Sequence, residues 1–192
     1  WADRKTGPIT VAEIDPAVTE TAIRDFWLDP EGMTILDEDA RVALIKRPGV
    51  RYDVVVGDAF GDIAVPQHLI TREFFELIRA RLSDEGVFLM NVIDFPERLQ
   101  ALGAIVATLQ SVFPSVEIWT EESRPTPGEQ RVFVLVAAAE PTAFSAFNAA
   151  APDTTRFAAM AGSFSDMLVA RSRPVLLTDD FAPIDRLLGG HL

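Results

Sequence analysis

Acidic and amide side chains stand at the ends of the predicted strands of this 192-residue chain. Glu13 closes the first predicted strand, Asp39 follows the second and Asp58 follows the third, while Asn91 and Asp94 end the fourth. In open α/β sheets, ligands bind beyond the carboxyl ends of the strands. The spacing therefore predicts that these side chains meet at one ligand-binding edge, although a single surface carboxylate is often only solvated.

Each position suits a different chemistry. A carboxylate in the place of Glu13 can accept hydrogen bonds from both ribose hydroxyls of a nucleoside, and one in the place of Asp39 can accept from the exocyclic amine of adenine. Asp58 stands in a Gly-Asp-Ala turn, where a carboxylate can hold an amine or take its proton. Structural alternatives remain open: Asp39 as an acid that suits a helix dipole, and Asp58 as a loop carboxylate bound to backbone amides.

The elements that would position these residues alternate between strands and helices. Asp15 and Pro16 predict the cap and first turn of one helix, and Thr71 predicts the cap of another. The apolar run Tyr52–Val56 is typical of a parallel strand buried on both faces. The pair Val116–Thr120 and Arg131–Ala137 is joined by a loop alone, which permits an antiparallel hairpin at the sheet edge. The sequence therefore predicts an α/β fold with a mostly parallel sheet.

Composition narrows the function classes. The chain is 48% hydrophobic and 24% charged, as expected for a globular protein, and its length predicts a single domain over residues 1–192 with a helical C-terminal extension at 140–192. No apolar run reaches membrane-span length. A net charge of −12 without a basic patch argues against nucleic acid and suits a cationic ligand. The absence of cysteine excludes disulfides, thiolate metal sites and cysteine nucleophiles.

Three runs of sequence, in order, resemble the spermidine synthases, the polyamine aminopropyltransferases. They are ITVAEIDPAV, ILDEDARVAL and YDVVVGDAFGDIAVPQHLITREFFELIRARLSDEGVFLMNV. The resemblance is good over Ile9–Val92 and weaker over Phe95–Val136. The ending LLTDDFAPIDRLL looks like spermidine-synthase-like proteins in which this domain follows a membrane transporter-like half. The resemblance implies a class I methyltransferase-like Rossmann domain, with a mostly parallel sheet and an antiparallel edge hairpin.

The resemblance also implies roles for the acids. Glu13 matches the family's acid at the ribose of decarboxylated S-adenosylmethionine, and Asp39 with Ala40 matches the pair at the adenine. Asp58 matches the catalytic aspartate, which orients and deprotonates an attacking putrescine-like amine. The transfer would be an in-line displacement at the aminopropyl carbon next to the sulfonium, with no metal and no permanently bound cofactor. Proximity and alignment would supply most of its acceleration.

Two departures from the family pattern bear on the amine site. Gly61 stands where a second aspartate is frequent, with Asp62 one residue later, and His68 stands where a carboxylate is expected. Asp62 and His68 are therefore the candidate amine-binding residues, and a solvent-exposed loop histidine is the alternative for His68. These departures favour one alternative function, a non-catalytic domain that binds a nucleoside or polyamine. A second alternative is an S-adenosylmethionine-dependent methyltransferase on the same scaffold.

The chain begins at Trp1 and contains no counterpart of the family's glycine-rich loop, so we expect the domain to lack its N-terminal part. The missing part would include a central strand that lies, within the sheet, between the strands Ile9–Ile14 and Tyr52–Val56. The expected partners are a small polyamine and a nucleoside, with a homodimer implied by the family. The expected location is the cytoplasm, or the soluble part of a longer, membrane-attached protein. The cluster Thr178-Asp179-Asp180 predicts either a cap for a final helical turn near Ile184–Leu188 or a lid over the site.

Overall fold

The computed structural model describes residues 7–59, 65–150, 154–172 and 175–189, which form two compact units that divide after Gly49. The first unit is a strand–helix–strand–helix arrangement with two parallel strands paired from Ile9↔Met33 to Ala12↔Leu36. Its elements are β1 (Ile9–Ala12), α1 (Pro16–Phe26), β2 (Met33–Leu36) and α2 (Ala40–Lys46).

The start and end of α1 follow from local chemistry. The Asp15 carboxylate accepts a hydrogen bond from the Ala17 amide at 2.9 Å, and Pro16 opens the helix, so the predicted cap is confirmed. The helix ends at Trp27, whose φ of 56° places it in the left-handed region and stops the helical hydrogen bonding.

Val18, Ala22, Ile23 and Phe26 are spaced as one helical face, which predicts that α1 buries this face, but the structure does not bury it. Phe26 is 73% exposed, Val18 and Ile23 are also exposed, and α1 has no buried residue. The run Pro8–Ile14 predicts a short buried strand, yet Val11 of β1 is exposed as well. Two short strands and two short helices can cover little of each other's surface, so few neighbours exclude water within this unit.

The second unit contains a six-stranded sheet in the order β3-β4-β6-β5-β8-β7. β3 and β4 are parallel, and the other neighbouring strands are antiparallel. Its elements are β3 (Tyr52–Gly57), α3 (Arg72–Arg79), β4 (Leu82–Asp94), α4 (Gln100–Gln110), β5 (Ser115–Glu121), β6 (Arg131–Ala138), β7 (Ala146–Asn148), β8 (Arg156–Ala159), α5 (Gly162–Ser172) and α6 (Ile184–Gly189). A 3₁₀ turn, Gln67–Leu69, precedes α3.

The core lies where α3 and α4 pack on one face of β4. The ring of Phe88 on β4 contacts Phe75 on α3 with ring centroids 5.9 Å apart, and Phe113 beyond α4 with centroids 6.4 Å apart. The helical spacing of Phe74, Phe75 and Ile78 predicts that these side chains face inward, and their burial in α3 confirms it. α4 is buried over most of its length, as its near-continuous apolar sequence requires.

β3 differs from the prediction of a strand buried on both faces. Val54 is 48% exposed and Val56 is 57% exposed. Among the strands that the structure describes, β3 pairs with β4 alone and is therefore the edge of its sheet. The helices cover the face that carries Phe88, and Val54 and Val56 lie on the opposite face because side chains alternate along a strand.

The region after β6 also differs from the prediction. A helix was expected to begin within Ala139–Pro152, but the described part of this range forms a loop and β7. The rings of Phe147 and Phe157 stack at 5.3 Å, and Trp119 contacts Phe147 at 5.7 Å. Extended strands let these rings pack on each other, so the sheet continues beyond the predicted β5–β6 hairpin through β8 and β7. No helix in the described ranges is long and apolar enough to cross a membrane.

Candidate functional site

In the first unit, two of the predicted site residues lie at the same edge of the β1–β2 sheet. The Glu13 amide donates to the carbonyl of Leu36 at 3.0 Å, which places the end of β1 beside the end of β2. The Glu13 carboxylate accepts the Asp15 amide at 2.9 Å through Oε1. Glu13 is half-buried, so its carboxylate is held in place at the edge of the sheet.

Asp39 is the cap of α2, which was the structural alternative for this residue. Its Oδ1 accepts the Val42 amide at 3.0 Å, and Ala40 is the first helical residue. The neighbouring Glu38 has a different task, because it forms ion pairs with Lys46 at 2.6 Å and Arg47 at 2.5 Å. The hydrogen bond from Lys46, and then that from Arg47, hold the pKa of Glu38 below its usual range. Capping does not prevent Asp39 from binding a ligand, but it means that its position alone is not a functional signal.

In the second unit, Asp58 is exposed directly after β3 and is paired with Asn91 of β4. The Asn91 Nδ2 donates to Asp58 Oδ1 at 2.7 Å. Gly57, just before Asp58, lies so close to β4 that a Cβ there would be 3.1 Å from the Phe88 ring. The glycine therefore lets the end of β3 approach β4, which brings the two polar side chains together.

Asp94, the acid that ends β4, is not a ligand-binding residue. It is 0% exposed, and its two oxygens accept the amides of Phe95 at 2.7 Å and Leu102 at 3.0 Å. Burial raises the pKa of Asp94, and these amide hydrogen bonds oppose that shift. The expectation that Asp94 joins a ligand-binding edge is wrong: this carboxylate closes the turn before α4, where Leu99 has a φ of 56° and no side-chain cap.

Of the two candidate amine-binding residues, His68 lies within the described residues and Asp62 does not. Asp62 and Gly61 lie outside the described residues. His68 is exposed in the 3₁₀ turn, between Gln67, whose Nε2 donates to Asp185 at 3.3 Å, and the buried Leu69. His68 therefore belongs to a short turn anchored at both sides.

The acidic cluster near the C-terminus binds α3. The Thr71 hydroxyl donates to Asp179 Oδ1 at 2.7 Å, and the Asp179 amide donates to Glu73 Oε2 at 3.0 Å. Thr71 also accepts the Phe74 amide at 3.3 Å, which confirms its predicted cap. Asp179 therefore links the segment after α5 to the start of α3, and the cap and lid roles of the Thr178-Asp179-Asp180 cluster stay predictions.

The structure therefore brings Glu13 and Asp39 to one sheet edge, and Asp58 and Asn91 to another in the other unit. That all of them form one site stays a prediction. Asn91 was recognised in the sequence as a strand-end residue but not as a partner of Asp58. The parallel register explains this pairing: Gly57 lies opposite Met90, so the next residues of the two strands, Asp58 and Asn91, lie opposite each other.

The chain matches no protein-family model, but it is similar to curated transferases. It is 41% identical over 85 residues to a polyamine aminopropyltransferase of Vibrio vulnificus, which covers 42% of this chain and 28% of that protein. It is 33% identical over 123 residues to an N-terminal histidine N-methyltransferase of Emericella nidulans, which covers 62% of this chain and 22% of that protein. The chain thus spans less than a third of the length of these two relatives.

Solved structures support the fold. A probable spermidine synthase from Corynebacterium glutamicum matches with a TM-score of 0.69 and 17% identity, over 91% of this chain and 64% of that chain. Human methyltransferase-like protein 13 in complex with SAH matches with a TM-score of 0.57 and 21% identity, over 92% and 77%. The predicted class I methyltransferase-like α/β fold is confirmed, and the chain is similar in fold to a probable spermidine synthase and, over part of its length, in sequence to a polyamine aminopropyltransferase.

Proposed function

We propose that this domain transfers an aminopropyl group from decarboxylated S-adenosylmethionine to an amine of the putrescine type. In this proposal Glu13 holds the ribose, Asp39 with Ala40 holds the adenine, and Asp58 is the catalytic residue at the amine. No cofactor is bound permanently, and the donor is a co-substrate. The net charge of −12 favours this pair of ligands, because the sulfonium donor and the amine are both cations.

The observation that carries the proposal is the state of Asp58. Its carboxylate is exposed at the carboxyl end of β3, where open α/β sheets bind ligands, and Asn91 fixes its orientation. Within the described ranges no lysine or arginine pairs with it. A carboxylate that is oriented and has no cationic partner is suited to hold an incoming amine and to accept its proton.

The proposed reaction is a balanced displacement at carbon. The amine nitrogen attacks the aminopropyl carbon next to the sulfonium, so an N–C bond forms as the C–S bond breaks. The electron pair of that bond goes to sulfur, which leaves as the neutral thioether methylthioadenosine. The proton lost by the amine goes to Asp58 and then to solvent. The protein's main contribution is alignment of nitrogen, carbon and sulfur.

His68 extends the proposal toward the amine. It is exposed on the anchored turn Gln67–Leu69, and in this proposal it contacts the distal part of the acceptor. Asp62 remains a prediction as a second amine contact. A homodimer and a cytoplasmic location also remain predictions.

Methyl transfer from S-adenosylmethionine is the second candidate. The similarity to a histidine N-methyltransferase favours it, since that relative matches a longer part of this chain than the aminopropyltransferase does. The same fold serves both reactions, so fold cannot choose between them. The two candidates differ in whether the donor keeps its carboxylate.

Calorimetric titration of the complete protein separates the candidates. The titrants are methylthioadenosine, decarboxylated S-adenosylmethionine and S-adenosylmethionine. The proposal predicts preference for the decarboxylated donor, loss of that binding in Asp39→Ala, and unchanged donor binding in the matched control Asp58→Asn. Preference for S-adenosylmethionine would support methyl transfer instead. No binding of any of the three would refute both and favour a binding domain for another ligand.

A further inference from the structure

The catalytic carboxylate of the proposed site has a side-chain partner on the neighbouring strand, Asn91. We propose that Asn91 is a positioning residue: its side-chain amide orients Asp58 so that one carboxylate oxygen faces the amine. This inference rests on the proposed function, because it assigns Asn91 a task in that reaction. Nothing in the chemistry of amine transfer requires an amide at this place, so the claim stands on the geometry.

The strand register explains why the two side chains meet. β3 and β4 are parallel, with Val56 opposite Leu89 and Gly57 opposite Met90. The next position places Asp58 opposite Asn91, and paired residues of neighbouring strands point to the same face. This is the open face of β3, which also carries Val54 and Val56. The pair thus stands at the carboxyl end of an exposed apolar strip, and not in the helix-covered core.

The backbone at Asn91 is held more firmly than the backbone at Asp58, so Asn91 orients Asp58 and not the reverse. Asn91 lies inside β4, opposite Val134 of β6, and its neighbours Met90 and Val92 are each 2% exposed. Asp58 follows the last paired residue of β3, where the chain leaves the sheet. A side chain beyond the end of a strand needs a partner to hold one rotamer, and Asn91 supplies it from a fixed strand.

The chemistry of the contact fits the same role. The Asn91 Nδ2 donates to Oδ1 at 2.7 Å, and in the described part of the chain no hydrogen bond or ion pair is made to Asp58 Oδ2. A carboxylate accepts through both oxygens, so a donor on one leaves the other for the amine. An amide is neutral and donates a hydrogen bond to the carboxylate, whereas an aspartate at position 91 would offer no amide donor and add a second acid beside it.

The test compares four variants of the complete protein in steady-state aminopropyl transfer. Asn91→Leu keeps the volume without the donor, Asn91→Asp keeps the shape and reverses the hydrogen bonding, and Asn91→Gln keeps a donor on a longer side chain. The matched control is Ser83→Ala. It removes the 2.8 Å hydrogen bond from the Ser83 hydroxyl to Asp53, the same kind of contact between the same two strands at their other end.

A positioning role predicts a split between kcat and KM. For Asn91→Leu we expect kcat to fall about 10- to 100-fold, the equivalent of one charge-assisted hydrogen bond, with the donor KM within about twofold. Asn91→Asp should lose at least as much, Asn91→Gln should recover most of the rate, and Ser83→Ala should stay within about twofold of the wild type. Circular dichroism melting checks that each variant is folded.

The outcomes distinguish this inference from the proposed function. An active wild type with an unchanged kcat in folded Asn91→Leu overturns the positioning role alone. The positioning role is also overturned if Asn91→Gln does not restore the rate and the donor KM rises as much as kcat falls. That pattern indicates a general disturbance of the site. A wild type that transfers methyl groups overturns the proposed function, while the same kcat split then tests Asn91 in that reaction. A wild type inactive with every donor overturns both.

Discussion

The buried carboxylate of Asp94 offers a stability prediction that depends on no assumption about function. Asp94 is 0% exposed and accepts two backbone amides, one at each oxygen. Replacement by alanine would leave both amides without their acceptor in the core. Each donor that loses its partner costs about 1–3 kcal/mol, so with two donors we expect Asp94→Ala to lose about 2–6 kcal/mol of unfolding free energy.

Asparagine is the matched variant for this site. It keeps the size of aspartate and one acceptor oxygen, but it turns an NH₂ group toward an amide that needs an acceptor. We therefore expect Asp94→Asn to lose about 2 kcal/mol, roughly half the cost of alanine. Urea denaturation followed by circular dichroism, with near-equal m-values for all variants, measures the difference. If both variants lie within about 0.5 kcal/mol of the wild type, Asp94 does not hold the start of α4 as described.

The pH dependence of the unfolding free energies of the wild type and Asp94→Asn gives an independent check, because the direction of the change is fixed by the pKa of Asp94. Burial raises the pKa of Asp94 in the folded protein. The folded state therefore binds this proton more readily than the unfolded state, and the contribution of Asp94 to stability increases as the pH falls through its raised pKa. The difference in unfolding free energy between the wild type and Asp94→Asn should grow from pH 7 toward the ordinary aspartate pKa. A difference that shrinks over this range would contradict the assignment.

Three further predictions concern other contacts of the fold. Thr71→Val removes both the cap of α3 and the bond to Asp179, so it should lower the unfolding free energy by about 2–3 kcal/mol in urea denaturation. Thr71→Ser keeps the hydroxyl and should lower it by less than about 1 kcal/mol. Equal losses in the two variants would show that the hydroxyl does not stabilise the fold. Gly57→Ala should cost about 1–2 kcal/mol through overpacking against the Phe88 ring, and the cost should shrink in a Phe88→Leu background. The stability difference between the wild type and Glu38→Gln should be present at neutral pH and vanish as the pH falls through the lowered pKa of Glu38; a pH-independent difference would exclude the ion pairs as its source.

The helix caps and the helices of the second unit could be predicted from the sequence because their causes are local. Asp15, Asp39 and Thr71 each accept the amide of a residue two or three positions later, and the inward face of α3 follows from a helical period. The parallel pairing of β3 and β4 also follows from the helix between them.

The remaining features depend on partners that are distant in sequence. Asp94 and Asp58 both follow strands and could not be separated by type, yet one is sealed under α4 and the other is exposed. Asp179 finds its partner at Thr71, 108 residues away. The strands β7 and β8 form in and after an alanine-rich segment because Phe147 stacks on Phe157 and also contacts Trp119. Composition alone therefore suggested a helix where packing favours strands.

The most direct test of the central claim is a single-turnover assay of Asp58→Asn in the complete protein. The donor is decarboxylated S-adenosylmethionine, the acceptor is a putrescine-type diamine, and methylthioadenosine is the measured product. The proposal predicts that the variant binds the donor as the wild type does, while product forms at least about 100-fold more slowly, as expected when a general base is removed. A variant that forms product at the wild-type rate would contradict the assignment of Asp58 as the residue that takes the proton from the amine.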